Sequence, residues 1–147
     1  MKEYDIAIIG GGPAGIMAAI AASQNSSNVI LLEKNSQLGR KLLLTGGGRC
    51  NITNACDIEE LFPAVITNSR FLYSSFYSYT NQDVIEFFER LGVKTKIERG
   101  NRVFPESDRS SDVIKALERE MRNVGVKIHL ETEVRKIVSE DGEFKNI

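Results

Sequence analysis

Residues 4–33 constrain the fold of this chain more than any other stretch of its sequence. Apolar residues at 6–9 and 29–32 predict two buried strands, and the alanine-rich segment between them predicts a helix. The first strand leads into a glycine-rich turn at residues 10–15, with the sequence GGGPAG. A strand, a glycine turn, a helix and a second strand together predict a βαβ unit that opens a dinucleotide-binding fold.

Each glycine of the pattern G-x-G-x-x-G has a separate physical role. Gly10 allows the tight turn out of the strand, Gly12 lets a pyrophosphate approach the backbone, and Gly15 lets the helix lie close to the sheet. The N–H groups and the positive dipole end of the helix would then point at the phosphates. Glu33 lies 23 residues after Gly10, where a carboxylate accepts hydrogen bonds from a ribose diol and repels a 2′-phosphate. The pattern therefore predicts a dinucleotide site that disfavours NADP, and it fits both FAD and NAD.

Composition and charge narrow the functional classes. The 147 residues suffice for one domain with a core, and contents of 41% hydrophobic and 27% charged residues are ordinary for a globular protein. With a formal net charge of −1, the chain lacks the excess of positive charge that binds nucleic acid or an anionic membrane surface, so we expect neither as a partner. Two cysteines without a secretory signal favour the cytoplasm, with free thiols. The single histidine, His129, is expected on a solvated strand face, and no metal site is predicted.

The C-terminal end of the sequence indicates a β-hairpin whose second strand has barely begun at residue 147. A compact domain seldom ends there, so we expect this sequence to be the N-terminal part of a longer polypeptide. The predicted fold is α/β and Rossmann-like, with a mostly parallel sheet, and it is incomplete. Residues 1–56 and 106–147 are predicted to form the nucleotide-binding core, and residues 57–105 an insertion of helices and a hairpin.

A second glycine-rich loop follows the first unit. It comprises Thr45, Gly46, Gly47, Gly48, Arg49, Cys50 and Asn51. Its backbone can approach a ligand closely, and Arg40 and Lys41 add positive charge near it, so an anionic cofactor is the predicted ligand. The alternative is a flexible surface loop with solvated charges.

The remaining sequence predicts helices and one hairpin. N-caps are predicted at Asp57, Asn81 and Ser111, and Gly92 is a predicted helix stop. The helices are predicted at residues 58–62, 69–76, 82–91 and 112–124, and strands at 93–97, 102–104 and 126–131. A cluster of aromatic residues is expected to pack between helices in preference to forming a wall around a flavin. The cluster consists of Phe71, Tyr73, Phe76, Tyr77 and Tyr79.

Three strings in the sequence resemble a known family. GGGPAG, EKNSQLGRKLLLTGGGRCNITN and NRVFPESDRSSDVIKAL are similar to the N-terminal portion of bacterial FAD-dependent flavoproteins, a family of NAD(P)/FAD-dependent or aminoacetone-oxidase-like oxidoreductases with bile-acid-reductase relatives. The GRK and GGGRCN-x-TN strings are more specific than the nucleotide fingerprint, and the resemblance covers essentially the whole chain. It implies a glutathione-reductase-like FAD-binding fold within a flavin-dependent oxidoreductase. A small molecule is the implied substrate, and NAD(P)H is a candidate electron donor.

The resemblance also implies the contacts with FAD. The first glycine turn would hold the pyrophosphate, Glu33 the adenosine ribose, and the backbone at Val134 the adenine. Arg40 and Lys41 would lie along the cofactor, and residues 45–51 would approach its flavin side, where Arg49 is suited to stabilising negative charge on the reduced ring. The predicted cofactor-binding residues are Gly10, Gly12, Pro13, Ala14, Gly15, Glu33, Lys34, Arg40, Lys41, Thr45, Gly46, Gly47, Gly48, Arg49, Cys50, Asn51 and Val134. The sequence indicates no catalytic acid or base.

Three alternative functions stay open. An NAD-dependent dehydrogenase would use the same glycines and Glu33 for NAD. A non-catalytic dinucleotide-binding fragment would show affinity without turnover. A dithiol oxidoreductase would require a reversible disulfide between Cys50 and Cys56, although their spacing is one residue longer than in the C-x4-C motif of disulfide oxidoreductases. A separate hypothesis is that Arg49 lowers the pKa of the Cys50 thiol.

Overall fold

A computed structural model of the chain describes residues 3–26, 28–140 and 143–146. The chain divides into two compact units: one contains the residues up to Lys41 and those from Leu117 onward, and the other contains Leu42–Ala116. These limits differ from the predicted core of residues 1–56 and 106–147, and the division into a nucleotide-binding core and an insertion stays a prediction. The helices in the described part of the chain are too short or too polar to span a lipid bilayer.

The first unit contains the predicted βαβ arrangement. Strand β1 (Ile6–Ile9) leads into helix α1 (Pro13–Ser23), which is followed by strand β2 (Val29–Leu32). β2 is the central strand of a three-stranded parallel sheet in the order β1, β2, β6, where β6 is Lys127–His129. All four residues of β2 are buried, whereas β1 alternates half-buried and exposed residues, since successive side chains of a strand point to opposite faces of the sheet. The predicted parallel α/β fold is confirmed.

Helix α5 (Ser110–Asn123) precedes β6 in the chain. Val113, Leu117 and Met121 are buried, as their spacing along one helix face predicts. The helix begins at Ser110, so Ser111 lies inside its first turn and the prediction of Ser111 as N-cap is wrong. His129 on β6 is exposed, as predicted.

The C-terminal end forms the predicted hairpin. Strand β7 (Val138–Glu140) pairs antiparallel with β8 (Glu143–Asn146). The register is irregular between Val138 and Ser139.

The second unit combines short helices with an antiparallel sheet. A 3₁₀ segment at Leu42–Gly48 leads to strand β3 (Thr53–Asn54), which pairs with β5. The other elements are α2 (Ile58–Leu61), 3₁₀ turns at Phe62–Ala64 and Ser69–Leu72, α3 (Tyr73–Ser78), α4 (Asn81–Arg90), β4 (Thr95–Glu98) and β5 (Arg102–Pro105). β4 and β5 form the predicted hairpin, with Gly100 and Asn101 at positive φ in its turn.

The cap of α4 differs from the prediction. Thr80, not Asn81, is the N-cap, because the Thr80 hydroxyl accepts from the N–H of Asp83 at 3.1 Å while the Asp83 carboxylate accepts from the N–H of Thr80 at 2.7 Å. Asn81 is the first residue of the helix, and its buried amide donates to the carbonyl oxygens of Asn54 and Cys56, at 2.7 Å each. Gly92 follows the helix at a φ of +83°, as predicted for a stop.

The aromatic cluster forms around a residue that the sequence prediction left out. Phe62 is buried and stacks on Tyr73, with 4.3 Å between ring centroids, and it also contacts the rings of Phe76 and Tyr77. This part of the cluster packs between short helices, as predicted. Phe71 is 78% exposed, so its predicted place in that packing is wrong.

Candidate functional site

The glycine turn between β1 and α1 presents free backbone donors. The N–H of Gly10 donates to the carbonyl of Leu32 at 2.8 Å, and Pro13, the first residue of α1, has no N–H to satisfy. Gly12 is the N-cap, and as a glycine it has no side chain that could accept from the first helical turn. Within the described part of the chain, the N–H groups of Gly12, Ala14 and Gly15 have no acceptor. Three donors at the positive end of a helix suit an anion.

The glycines of this turn differ in how much space surrounds them. An ideal Cβ on Gly15 would lie 1.9 Å from the carbonyl oxygen of Gly10, so only glycine permits this approach of α1 to the turn. An ideal Cβ on Gly12 would meet no described atom within 4 Å and would instead fill the open space before α1. Gly10 has a φ of +100°, which the tight turn requires. The turn is therefore both compact and open on the side of the free donors.

Glu33 follows β2 directly and faces the glycine turn. Its Oε2 accepts from the N–H of Gly11 at 2.6 Å, and its Oε1 accepts from the N–H of Asn35 at 2.8 Å and from the Asn35 side-chain amide. The residue is 7% exposed. Burial raises the pKa of this carboxyl, but the hydrogen bonds from Asn35 and Gly11 outweigh it and leave the pKa below its ordinary value. A buried carboxylate thus stays ionised beside the turn.

The loop after Glu33 is attached to the same turn. The N–H of Gly39 donates to the carbonyl of Gly11 at 2.8 Å, and Leu38 is buried. An ideal Cβ on Gly11 would lie 2.4 Å from Cδ2 of Leu38 and 3.1 Å from Oε2 of Glu33. A side chain at Gly11 would therefore displace the side chains of Leu38 and Glu33 that pack against the turn. Lys34, Arg40 and Lys41 are exposed on the loop, and Arg40 Nη1 donates to the side-chain oxygen of Asn35 at 2.7 Å.

The second glycine loop lies in the second compact unit. Gly46, Gly47 and Gly48 have positive φ values, and residues 45–48 are exposed. An ideal Cβ on Gly46 would lie 2.7 Å from the Phe104 ring and 2.9 Å from the backbone nitrogen of Asn51. In the orientation that its neighbours favour, the Asn51 amide donates to the carbonyls of Thr53 and Val103. The loop backbone is thus held against the antiparallel sheet, with its first residues open to solvent.

Arg49 is engaged by other side chains of the second unit. Its guanidinium lies 4.2 Å from the centre of the Phe104 ring and contacts Glu98 at 2.9 Å and Asp108 at 3.2 Å. Lys96 contacts the same two carboxylates. The hydrogen bond to Glu98 raises the pKa of Arg49, and the partner cations lower the pKa values of Glu98 and Asp108. A role of Arg49 toward a reduced flavin would therefore compete with two carboxylates.

The cysteines do not support thiol chemistry. Cys50 is 1% exposed, and burial raises the pKa of its thiol, so the hypothesis of a lowered pKa is wrong. Cys50 and Cys56 are both free, and no disulfide joins them in the described part of the chain. Among those residues there is also no group of three His, Cys, Asp or Glu side chains that could hold a metal ion.

The structure brings some of the predicted site residues together and assigns others to the second unit. Gly10, Gly12, Pro13, Ala14, Gly15, Glu33, Lys34, Arg40, Lys41 and Val134 belong to the first unit, and Thr45, Gly46, Gly47, Gly48, Arg49, Cys50 and Asn51 belong to the second. Val134 is half-buried in a segment without regular secondary structure. The prediction missed Gly11, Asn35 and Leu38. In the sequence, Gly11 is recognisable only as one of three consecutive glycines, and Asn35 and Leu38 only as members of the loop after Glu33. The contacts of the predicted residues with a cofactor stay predictions.

The parallel βαβ unit, the open helix N-terminus and the buried carboxylate after β2 define a dinucleotide-binding domain of the Rossmann type. Residues 4–147 match the family described as HI0933-like protein Rossmann domain, and the chain belongs to this family. It is a Rossmann-type FAD-binding domain, as the resemblance implied.

Curated relatives cover most of the chain. It is 39% identical over 126 residues to the 3-dehydro-bile acid delta(4,6)-reductase of Clostridium scindens, a match that covers 84% of this chain and 30% of the relative. It is 30% identical to the ribosomal RNA dihydrouridine synthase of Haemophilus influenzae, over 93% of this chain and 34% of the relative, and 28% identical to that of Escherichia coli, over 98% and 35%. The chain thus spans about a third of the length of these relatives.

Solved structures agree on the fold. THI4 of Thermovibrio ammonificans superposes with a TM-score of 0.63 at 12% identity, over 97% of this chain and 45% of that protein. A flavocytochrome c3 fumarate reductase gives a TM-score of 0.61 at 21% identity, over 95% and 28%. The 3-ketosteroid-delta4-(5alpha)-dehydrogenase of Rhodococcus jostii gives 0.58 at 14% identity, over 96% and 41%.

Proposed function

We propose that this chain binds the adenosine diphosphate half of FAD within a longer flavin-dependent oxidoreductase. The observation that carries the proposal is the group of three free N–H donors, on Gly12, Ala14 and Gly15, beside the buried carboxylate of Glu33. The donors suit the pyrophosphate, and the carboxylate suits a ribose hydroxyl. Both belong to one compact unit, and Glu33 and the turn are hydrogen-bonded through Gly11.

The residues of the turn would bind and orient the cofactor. The pyrophosphate oxygens would accept from the free N–H groups, and the missing Cβ of Gly12 would leave room for them. The positive end of α1 adds about 0.3–1 kcal/mol of favourable interaction with a negative group at a surface site. When bound, FAD supplies the hydride and electron chemistry, while the protein supplies binding, orientation and electrostatics.

Glu33 would select against a 2′-phosphate. Its hydrogen bonds lower its pKa, so it is ionised at neutral pH and would repel a second negative group. A ribose hydroxyl, in contrast, can donate to it. The exposed cations Lys34, Arg40 and Lys41 would add positive charge on the same loop. The ionised carboxylate of Glu33, and not these cations, favours FAD or NAD over NADP, as the sequence predicts.

The contact of residues 45–51 with the flavin side rests on the family resemblance. We place that contact on the exposed backbone of Thr45, Gly46, Gly47 and Gly48, because the Arg49 guanidinium is already bound to Glu98 and Asp108. Cys50 is buried and the Asn51 amide faces backbone carbonyls, so we expect these two residues to stabilise the conformation of the loop and not to contact the flavin. The adenine contact at Val134 likewise rests on the resemblance.

For the whole protein we propose reduction of a small molecule, with NAD(P)H as the candidate electron donor. The most identical of the relatives named above carries the name of a bile-acid reductase, and the net charge of −1 of this chain gives no footprint for RNA. Two further relatives carry the name ribosomal RNA dihydrouridine synthase, so RNA is the second candidate substrate. Assaying the full-length gene product with NADH or NADPH, on a 3-dehydro bile acid with delta(4,6) double bonds and on ribosomal RNA, separates the two. Reduction of a bile-acid double bond with unchanged RNA supports the proposal, and dihydrouridine formation contradicts it.

Titration of the purified chain with FAD and with NADH tests the binding proposal. We expect flavin absorbance that persists through gel filtration, or a rise in the unfolding midpoint with FAD. Gly12→Val should abolish binding and leave a folded protein, because its side chain would occupy the pyrophosphate position. Ala21→Val adds the same branched side chain to an exposed position of α1 and serves as the matched control. Binding of NADH without FAD would favour a dehydrogenase, and full affinity in Gly12→Val would refute the pyrophosphate assignment.

A further inference from the structure

Asn35 makes two hydrogen bonds to the same carboxylate oxygen of Glu33. Its backbone N–H donates to Oε1 at 2.8 Å, and its side-chain amide donates to Oε1 as well. The other oxygen, Oε2, accepts from Gly11 at 2.6 Å. An ionised carboxylate offers about four lone-pair sites. Three are therefore filled by this chain, and the remaining one lies on Oε2.

This count limits how Glu33 can receive a ribose. A ribose diol has two hydroxyl donors, and only one acceptor site is left while the Asn35 amide stays in place. We infer that Asn35 is a positioning residue of the ribose site: its side-chain amide holds Oε1 of Glu33, so that the carboxylate presents Oε2 to a single hydroxyl. This inference rests on the proposed binding of FAD by this unit.

Arg40 fixes the direction in which the Asn35 amide points. Its Nη1 donates to the Asn35 side-chain oxygen at 2.7 Å, so the NH₂ group faces Glu33. The opposite orientation would place the amide oxygen against the carboxylate and the NH₂ group against the guanidinium, and both contacts would be repulsive. A cation on the loop is thus connected through Asn35 to Glu33 and on to Gly11 of the phosphate turn.

The backbone of Asn35 has a separate structural role. Its carbonyl oxygen accepts from the N–H of Glu131 at 3.0 Å, and a substitution of the side chain leaves this bond and the Oε1 bond of the Asn35 N–H available. Side-chain variants therefore change the orientation of Glu33 without removing the anchor of the loop. Asn35→Ala removes the donor to Glu33, and Asn35→Asp keeps the acceptor for Arg40 but places a second carboxylate against Oε1.

The pKa of Glu33 and the affinity for FAD together test this role. We would follow the Glu33 side-chain carboxyl carbon by NMR in the cofactor-free wild-type chain and in Asn35→Ala, Asn35→Asp and Asn123→Ala, the last being an exposed asparagine at the end of α5. The carboxyl should titrate at higher pH in Asn35→Ala, and higher still in Asn35→Asp because of the like charge. Asn123→Ala should match the wild type.

The FAD titration adds the second readout. Asn35→Ala removes one net hydrogen bond, so its affinity for FAD should be weaker than that of the wild type by up to about tenfold. The affinity of Asn35→Asp for FAD should be weaker still. The acid limb of FAD binding should begin at higher pH in Asn35→Ala than in the wild type. An unchanged Glu33 titration in Asn35→Ala overturns the inference whether or not FAD binds, and so does a shifted titration with unchanged FAD affinity. If the titration shifts and the wild-type chain binds no FAD, the binding proposal fails while the positioning of Glu33 by Asn35 stands.

Discussion

Replacing Gly15 by alanine should destabilise the fold even without a cofactor. The new Cβ would lie 1.9 Å from the carbonyl oxygen of Gly10 and 3.5 Å from Cγ2 of Ile8. The closer atom belongs to the backbone, so no change of rotamer relieves the contact, and α1 has to move away from the turn. Overpacking costs about 1–3 kcal/mol, and a backbone contact this short lies at the upper end, about 3 kcal/mol. Alanine recovers about 1 kcal/mol through its helix propensity, which leaves a net loss of about 2 kcal/mol.

Gly12→Ala is the matched comparison in the same turn. Gly12 has a φ of −78°, which any residue adopts, and an ideal Cβ there meets no described atom within 4 Å. The free energy of unfolding should fall by no more than about 1 kcal/mol, since alanine is a poorer N-cap than glycine. The affinity for FAD should fall, because the methyl group enters the space before α1.

Urea unfolding followed by far-UV circular dichroism, without FAD, measures the stability of the two variants. FAD titration measures the binding of each variant that is folded under the conditions of the assay. We expect the greater loss of stability in Gly15→Ala and selective loss of binding in Gly12→Ala. A Gly15→Ala chain as stable as the wild type would refute the packing argument, and a Gly12→Ala chain less stable than Gly15→Ala would show that the turn is closed where we describe it as open.

Three further predictions can be tested by urea unfolding or by alkylation of a thiol. Cys50 should react with iodoacetamide more slowly than a free model thiol in the native chain, because it is buried with a raised pKa, and unfolding should remove the difference; equal native rates would contradict its burial. The folded-state pKa of Glu33 lies below its ordinary value of 4.5, so its contribution to stability is complete above that value and is lost as pH falls toward the folded-state pKa. In Glu33→Gln the free energy of unfolding should therefore fall less steeply with decreasing pH than in the wild type. Identical pH profiles of the two proteins would exclude the contribution. Phe62→Ala should lower the free energy of unfolding by about 3 kcal/mol, which is the low end for a buried phenylalanine because Tyr73 and Tyr77 are half exposed. A decrease of less than about 1 kcal/mol would mean that the cluster is not a packed core.

The first unit was predictable because its signals are local. Continuous apolar residues in β2, the alanine-rich α1 and the glycine turn all lie within 30 consecutive residues of the sequence, 4–33. A βαβ connection makes the two strands parallel, and consecutive strands are usually neighbours in the sheet, as β1 and β2 are here. The acid after β2 was likewise predictable from its distance along the chain. Its hydrogen-bond partners were not, because they depend on how the following loop folds back.

The wrong predictions for the cap of α4 and for Cys50 have separate causes, one a local capping box with long-range contacts beside it and the other burial. Thr80 and Asn81 are both good N-caps by residue type. The structure selects Thr80 because Asp83 completes a capping box, while carbonyl groups of Asn54 and Cys56 draw the Asn81 amide inward. The same holds for Cys50: an adjacent arginine suggested a lowered pKa, but the folded loop buries the thiol. Predictions based on neighbours in the sequence were therefore wrong for side chains whose environment is determined by burial in the folded chain.

The three consecutive glycines differ in what surrounds them: Gly10 has a positive φ, Gly11 packs against other side chains, and Gly12 faces open space. The dinucleotide pattern leaves the residue between Gly10 and Gly12 open, yet in this chain Leu38 and Glu33 occupy the space that a Cβ on Gly11 would need. The N–H of Gly11 is also committed to Glu33. In the proposed site the donors for a pyrophosphate would therefore be those of Gly12 and the first turn of α1, while the N–H of Gly11 donates to the carboxylate that would bind the ribose. In the proposed site, phosphate and ribose recognition would be coupled through one peptide group, so a displacement of the loop at Leu38 should weaken both.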